Sequence, residues 1–114
     1  MFQLVDEKSF EGEVLSASSM VLVNFWAWWS DDCHNMSSVM HNMTELLDEQ
    51  DTIVQLDWNQ HRRLAWELEV YGVPTLLIYI RGREVARFSG VMSEDELVRR
   101  IIEAKNHDGS SILQ

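Results

Sequence analysis

Residues 29–33 of this 114-residue chain place a hydroxyl, Ser30, and a thiol, Cys33, three positions apart. Two cysteines at this spacing next to a βαβ pattern are typical of dithiol–disulfide exchange, because the second sulfur closes on the first after a partner disulfide has been reduced. The exchange requires a thiolate, and a serine hydroxyl does not ionise at cellular pH, whereas a free thiol has a pKa of about 8.5. Cys33 is the only cysteine in the sequence. We therefore expect no efficient dithiol reductase activity, and at most a residual monothiol exchange.

The surroundings of Cys33 leave two interpretations open. A helix that begins near Ser30 favours the thiolate through its N-terminal dipole, whereas Asp31 and Asp32 disfavour it. Because two carboxylates outweigh the dipole, we expect a thiol that is no more acidic than a free cysteine. Cys33 is then either a small apolar packing residue or a thiol that forms mixed disulfides. Ser30 has a structural interpretation as well, since serine is a preferred N-cap that contributes about 1 kcal/mol.

The spacing of apolar residues predicts a strand–helix–strand unit around these two positions. A weakly helical segment at 9–16 is followed by an apolar run over 21–27, which predicts a strand buried on both faces. The next helix begins near Ser30, and its apolar face carries Cys33, Met36, Met40, Met43 and Leu47. We interpret that face as core rather than as a methionine-rich client surface. A second strand at 52–57 and a helix at 62–71 follow, and the two parallel strands with the helix between them make a right-handed βαβ unit.

The remainder of the sequence predicts a hairpin and a closing helix. Strands at 75–80 and 84–88 are joined by a short turn at 81–84. Ser93 and Glu96 form a capping box, which opens the last helix. The element order is therefore βαβαββα.

Length and charge narrow the class of protein. The chain is long enough for one domain, which we place at 1–105, followed by a polar and flexible tail at 106–114. It has no charged-then-apolar leader and no long apolar run, so we expect a cytoplasmic protein. The net charge of −10 argues against nucleic acid and anionic membranes as partners. Residues 1–60 carry that whole excess of negative charge, with one basic and eleven acidic residues. This acidic half is either a solvated face or a docking surface for basic partners.

Two short motifs, together with the element order, resemble the thioredoxin family. The motifs are Phe25-Trp26-Ala27-x-Trp29-x-x-x-Cys33 and Val73-Pro74-Thr75, and the likeness runs from about Val21 to Ala104. The resemblance implies an α/β fold with a central mixed β-sheet, flanked by helices on both faces. Pro74, the only proline, falls where thioredoxins carry a cis-proline. This position implies that the backbone before Pro74 is free to pair with an extended client segment beside Cys33.

The same resemblance identifies candidate binding positions. In thioredoxins the tryptophan that matches Trp29 is exposed beside the motif, and Trp28 is an addition for which a partner contact is one of two open interpretations. We expect Trp58 and Trp66 to pack against the sheet. The candidate binding residues are Trp28, Trp29, Asp31, Asp32, Val73, Pro74, Thr75 and Gly90.

The departures from the family pattern concentrate at the positions that carry the redox chemistry of thioredoxins. Ser30 stands where thioredoxins carry the nucleophilic cysteine, and Asp31-Asp32 replaces the Gly-Pro spacer. Asn24 matches the buried aspartate that moves protons, and Gln55 matches the lysine near it, so both proton-relay positions are neutral. Ser38 matches the proline that kinks the first long helix. The sequence leaves open whether Ser30 is native or introduced, but three neutral replacements favour a natural loss of dithiol activity.

These observations support two functions of different classes. The first is a thioredoxin-like binding or chaperone-like module that grips extended or cysteine-bearing client segments, in one variant through a mixed disulfide at Cys33. The alternative is a thiol–disulfide oxidoreductase, either a monothiol enzyme that uses an external thiol or an active thioredoxin in which Ser30 replaces the nucleophile. His34 and His41 do not have the paired spacing of zinc ligands, so we expect no metal and no other cofactor.

Overall fold

The strands of the described residues form one mixed β-sheet of five strands. The computed structural model describes residues 2–4 and 10–107. The strands are β1 (Phe2–Leu4), β2 (Met20–Trp26), β3 (Thr52–Asp57), β4 (Thr75–Ile80) and β5 (Arg83–Ser89). Their spatial order is β1-β3-β2-β4-β5, with β1, β3 and β2 parallel and with β4 and β5 antiparallel to their neighbours. The central strand β2 and its neighbour β3 thus form the predicted parallel pair.

Within the described residues, three α-helices and two short helical segments cover this sheet. The α-helices are α1 (Asp31–Met43), α2 (Arg62–Glu67) and α3 (Glu94–His107). A π-helical segment at Glu11–Leu15 precedes β2, and a single 3₁₀ turn at Thr44–Leu46 follows α1. None of the helices in the described ranges is long and apolar enough to cross a membrane.

Apolar clusters on both faces of the sheet confirm the predicted α/β architecture. One cluster includes Phe10, Val14, Leu64 and Ala65, so the first helical segment and α2 cover that face. The other cluster packs α1 and α3 against the opposite face through Met36, Met40, Met43, Leu97 and Ile101. The predicted assignment of the methionine face of α1 to the core is confirmed, since all three methionines are buried.

The hairpin between β4 and β5 has a two-residue turn. Arg81 and Gly82 both have positive φ, at 51° and 79°, as a turn of type I′ requires. Gly82 also lies against the backbone carbonyl of Leu15, where a Cβ atom would approach within 2.2 Å of the oxygen. The predicted turn at 81–84 is therefore tighter in the structure, and β5 begins at Arg83.

The helix predicted at 62–71 is shorter than expected and ends at Glu67. Glu69 adopts a left-handed conformation with φ of 59°. The Glu69 N–H donates to the Trp66 carbonyl at 3.0 Å, and the Val70 N–H donates to the Ala65 carbonyl at 2.7 Å. These two bonds form a Schellman C-cap. The sequence gives no indication that the helix ends here, because glutamate occupies the position after the helix where glycine is the usual signal.

Trp66 does not pack against the sheet, contrary to the prediction. Its side chain is 70% exposed, because Leu64 and Ala65 take the inner face of α2 and residues two apart on a helix point in nearly opposite directions. The Trp66 ring instead meets the ring of Tyr71 edge to face, with 5.5 Å between centroids. Trp58 does pack against the core cluster, and its indole N–H donates to the Val70 carbonyl at 3.2 Å.

The ends of the chain differ from expectation in two places. Strand β1 lies at the edge of the sheet and was not predicted, since three residues are too few for apolar alternation to indicate a strand. The last helix continues to His107, two residues into the segment predicted as a tail. The rest of that predicted tail, 108–114, lies outside the described residues, as does residue 9 of the predicted helical segment at 9–16.

Candidate functional site

The turn that leaves β2 places Ser30 and Cys33 at the edge of the sheet formed by the C-terminal end of β2. The Ser30 N–H donates to the Ala27 carbonyl at 3.2 Å, which closes a tight turn at the end of the strand. Ser30 is the N-cap of α1, with extended φ and ψ of −99° and 118°, and its Oγ accepts the Cys33 N–H at 3.2 Å. Asp31 and Asp32 follow in the first turn and are exposed. The Ser30 hydroxyl is thus engaged as a helix cap.

Cys33 lies on the inner face of α1, where only 3% of it is exposed. The backbone N–H of Ala27 donates to its Sγ at 3.4 Å, so the turn and the helix are bonded to each other through the sulfur. This placement agrees with the packing interpretation of Cys33. A thiol buried to this degree meets a protein disulfide only when the turn opens.

The loop before β4 reaches the same edge of the sheet. In the register of β2 and β4, Phe25 lies opposite Thr75, so Pro74 comes level with the last residue of β2 and Val73 with the residue that follows it. The Val73–Pro74 peptide bond is cis. The Pro74 carbonyl accepts the Gly90 N–H at 3.0 Å, and Thr75 donates its hydroxyl to the Gly72 carbonyl at 2.8 Å. These bonds fix the loop on both sides of Val73.

Among the described residues, this arrangement leaves the backbone of Val73 without a hydrogen-bond partner. Over residues 2–4 and 10–107, no hydrogen bond engages the N–H or the C=O of Val73. The side chain of Val73 is half-buried against the core. Unpaired N–H and C=O groups of this kind can hydrogen-bond to the backbone of an extended peptide.

Two exposed tryptophans lie in the turn beside these backbone groups. Trp28 is 68% exposed and Trp29 is 53% exposed. The Trp29 indole N–H donates to Asn59 Oδ1 at 2.7 Å, which ties the turn to the loop after β3. His34 Nε2 lies 2.8 Å from the Trp28 carbonyl oxygen and must be the donor there, since a carbonyl only accepts. The backbone of the turn is thus held, while both indole faces remain accessible.

Asn24 and Gln55, the two positions predicted as a neutralised proton relay, form a neutral amide pair. Asn24 and Gln55 are direct neighbours in the register of β2 and β3. Asn24 donates its Nδ2 to Gln55 Oε1 at 3.2 Å, and only 1% of Asn24 is exposed. Neither group gains or loses a proton at ordinary pH, so this pair has no means of moving protons to or from Cys33.

The structure brings together most of the predicted site residues and adds others. Asn59 and His34 position the turn, yet neither was predicted as part of the site. The bond to Asn59 spans 30 residues and has no sequence signal, whereas the contact of His34 follows from its place one residue after Cys33. His41 is exposed at the far end of α1. Within the described ranges, no cluster of three or more His, Cys, Asp and Glu side chains could hold a metal ion.

Comparison with known proteins agrees with this geometry. The thioredoxin family model matches residues 1–103. A thioredoxin of Chlamydia muridarum is 34% identical over 101 residues, which are 89% of this chain and 96% of that protein. The bifunctional thioredoxin reductase/thioredoxin of Mycobacterium leprae is 32% identical over 95 residues, covering 83% of this chain and 21% of that protein. The chloroplastic thioredoxin Y1 of Arabidopsis thaliana is 26% identical over 93 residues, covering 82% of this chain and 54% of that protein. The chain thus spans about a fifth and about half of the last two.

Proposed function

The chain belongs to the thioredoxin family, and we propose that it is a member that binds extended protein segments and has lost efficient dithiol reductase activity. Membership of the family supports a thiol–disulfide-oxidoreductase-like role. In this proposal the chain retains the client-binding edge of the sheet. Cys33, where it reacts at all, acts as a single thiol.

The unpaired backbone of Val73 carries the proposal. A client segment that lies along this edge in an extended conformation can pair with the free N–H and C=O without displacing an existing bond. The neighbouring groups of Pro74, Thr75 and Gly90 already have partners. The client backbone therefore pairs with Val73 alone. This pairing requires only that the client segment can extend, whatever its side chains.

The side chains around Val73 indicate what kind of client fits. Trp28 and Trp29 present apolar area and π faces, and exposed aromatic residues are common anchors at interfaces. Asp31 and Asp32 add two exposed carboxylates beside them. An extended segment that combines apolar residues with lysine or arginine satisfies both features. We propose such segments, in cytoplasmic client proteins, as the partners.

Cys33 plays a second and slower part in this proposal. The sulfur is buried and bonded to the Ala27 N–H, so a client is held first by non-covalent contacts. When the turn opens, the thiolate attacks a client disulfide, the new bond forms between Cys33 and one client sulfur, and the other client sulfur leaves as a thiolate. With a hydroxyl at Ser30, no second thiol of this chain resolves the mixed disulfide.

A second candidate function is monothiol exchange with an external thiol such as glutathione. The hydrogen bond from the Ala27 N–H to Cys33 Sγ favours it, because the same donor would stabilise a thiolate. This function requires that the external thiol reach the sulfur. Slow alkylation of Cys33 in the folded protein, at the rate of a buried thiol, would exclude it.

A client without thiols separates the binding function from the redox function. We would measure the affinity of reduced and carboxymethylated α-lactalbumin, an unfolded chain with no free cysteine, by fluorescence anisotropy. Trp28→Ala should weaken binding by about 2 kcal/mol, or about thirtyfold in Kd, as the loss of an aromatic anchor does. Trp66→Ala is the matched control, since Trp66 is equally exposed but lies on α2. Equal losses in both variants, or no binding by the parent protein, would refute the proposal.

Two further experiments test the contribution of charge and the covalent capture of clients at this edge of the sheet. If Asp31 and Asp32 contribute, affinity for a basic segment falls as salt rises, since the Debye length is about 10 Å at 0.1 M salt. A pull-down with the parent protein and with Cys33→Ser, each with and without reductant, then tests the mixed disulfide. Clients that require Cys33 and leave on reduction support covalent capture, whereas clients retained equally by both proteins restrict the function to non-covalent binding.

A further inference from the structure

Two exposed aromatic side chains, Trp66 and Tyr71, form a surface patch at the end of α2. They are 70% and 63% exposed, and their rings meet edge to face with 5.5 Å between centroids. This contact leaves much of both rings in solvent, and contiguous exposed apolar area marks interaction sites. Arg62 lies one helical turn before Trp66 and is exposed as well. We call Arg62, Trp66 and Tyr71 the helix patch.

The helix patch carries a positive charge in a chain whose net charge is −10. Within the described part of the chain, no carboxylate pairs with Arg62. The carboxylates on either side of Trp66 have other partners. Glu67 lies 3.4 Å from Arg63 Nε, and Glu69 interacts electrostatically with Arg87. The helix patch therefore joins exposed aromatic area to the guanidinium of Arg62.

The turn after β2 presents aromatic area with the opposite charge. Trp28 and Trp29 are 68% and 53% exposed, and the exposed carboxylates of Asp31 and Asp32 follow them in sequence. We call these four residues the turn patch. Because aromatic area is joined to negative charge here and to positive charge at the helix patch, the two patches are complementary.

The turn patch and the helix patch are parts of one continuous surface. Trp29 donates its indole N–H to Asn59 Oδ1 at 2.7 Å, and Asn59 follows Trp58 directly. The Arg62 guanidinium lies over the ring of Trp58, 4.7 Å from its centroid. These contacts connect the two patches residue by residue. A surface that carries two complementary halves matches a copy of itself after a twofold rotation, because each half then meets the other.

We propose that the protein binds a second copy of itself through this surface, as a twofold symmetric dimer. The turn patch of each protomer packs on the helix patch of the other, so that Asp31 and Asp32 face the guanidinium of Arg62. The four aromatic side chains of the two patches are each more than half exposed and supply roughly 500 Å² per protomer. A standard interface buries about 800 Å² per partner, so the dimer is weak and forms only as the protein concentration rises.

Self-association of this kind regulates the client edge. Val73 lies two residues after Tyr71 and beside the turn patch, so the dimer covers its backbone. A client therefore competes with the second copy, and dilution releases the edge for binding. Trp66→Ala removes the competing dimer and cannot by this route weaken client binding, in contrast to the loss expected for Trp28→Ala. This regulation rests on the proposed function, whereas the dimer itself requires no client.

Sedimentation velocity of the whole protein tests the dimer without any client. The parent protein should show a monomer–dimer equilibrium as its concentration rises to about 1 mM. Trp66→Ala should raise the dissociation constant about hundredfold, because a tenfold loss at one anchor acts twice in a twofold dimer. Ile102→Ala is the matched control, since Ile102 is 54% exposed but lies on α3, and it should leave the equilibrium unchanged. Equal effects of the two variants, or assemblies that grow beyond the dimer, overturn the proposal. A parent protein that stays monomeric also overturns it and assigns the two patches to a different protein.

Charge reversal tests which patches meet. Arg62→Glu, and the double variant with Asp31→Arg and Asp32→Arg, should each lose the dimer, because like charges then face each other in both contacts. An equal mixture of the two variants should regain it, since both contacts of the mixed pair again join opposite charges. Thermal unfolding of each variant confirms that it is folded. A mixture of folded variants that stays monomeric, or a dimer that survives either reversal, overturns the proposal. The failure of client binding by fluorescence anisotropy would leave all of these results unchanged.

Discussion

The engagement of Ser30 as a helix cap makes a quantitative prediction about stability. Ser30 Oγ accepts the Cys33 N–H at 3.2 Å, and Ser30→Ala removes that acceptor. Replacing a capping serine by alanine costs about 1 kcal/mol. For 114 residues the unfolding entropy is about 0.24 kcal/mol/K near 60 °C, so the loss corresponds to a Tm lower by about 4 °C.

The assay is thermal and urea unfolding of a small series at this position. Ser30→Asn and Ser30→Asp retain an acceptor and should stay within a few tenths of a kcal/mol of the parent protein. Ser30→Gly should fall between these and Ser30→Ala. The slope of the urea transition should not change, because the substitution alters no large buried surface.

A different ranking would refute the reasoning. If Ser30→Ala and Ser30→Asn are equally unstable, the hydroxyl acts through something other than its acceptor. If Ser30→Ala is as stable as the parent protein but loses client binding, Ser30 touches the client and its role is functional. Either result would remove the explanation that the position has been converted from a nucleophile to a cap.

Three further predictions concern the redox site, the buried tyrosine and the end of α2. The Ser30→Cys protein should reduce insulin at least about tenfold more slowly than Ser30→Cys with Asn24→Asp, because the amide cannot transfer a proton, and equal rates in the turbidity assay would contradict this. Burial and the nearby Glu84 carboxylate raise the pKa of Tyr79, so the folded state holds this proton more tightly than the unfolded state. Stability should therefore be full below pH about 10 and fall as pH rises further, and Tyr79→Phe should flatten the fall in urea midpoints. Glu69→Gly should stabilise the protein by about 0.5–1 kcal/mol in urea unfolding, since Glu69 has φ of 59°, and a loss of stability would contradict the strain.

The strands around the site could be predicted because their signals are local. The residues of β3 and β4 match the predicted ranges, since β4 is a nearly continuous apolar run and β3 is rich in β-branched and apolar residues. The N-cap at Ser30 follows from serine before two acids and an apolar helical face. In each case one short window of sequence contains the whole physical cause.

The features that escaped prediction depend on contacts between distant residues or on an unusual conformation. The left-handed Glu69 ends α2 early, and helix propensity alone gives no reason for it. Strand β1 exists through its pairing with β3, some fifty residues away in sequence. The bond from Trp29 to Asn59 and the unpaired backbone of Val73 are likewise products of the tertiary fold.

The burial of Cys33 sets the order of events at the site. Under the proposed function, a client that approaches this edge of the sheet meets the exposed rings of Trp28 and Trp29 and the backbone of Val73 before it meets the sulfur. Opening the turn toward a client breaks the Ala27–Cys33 bond and the cap at Ser30 together, because both join the turn to the first helical turn of α1. Non-covalent binding thus precedes any covalent bond, and its strength decides how long the turn has to open. A substitution that weakens the cap should accordingly speed mixed-disulfide formation while leaving the affinity for a thiol-free client unchanged.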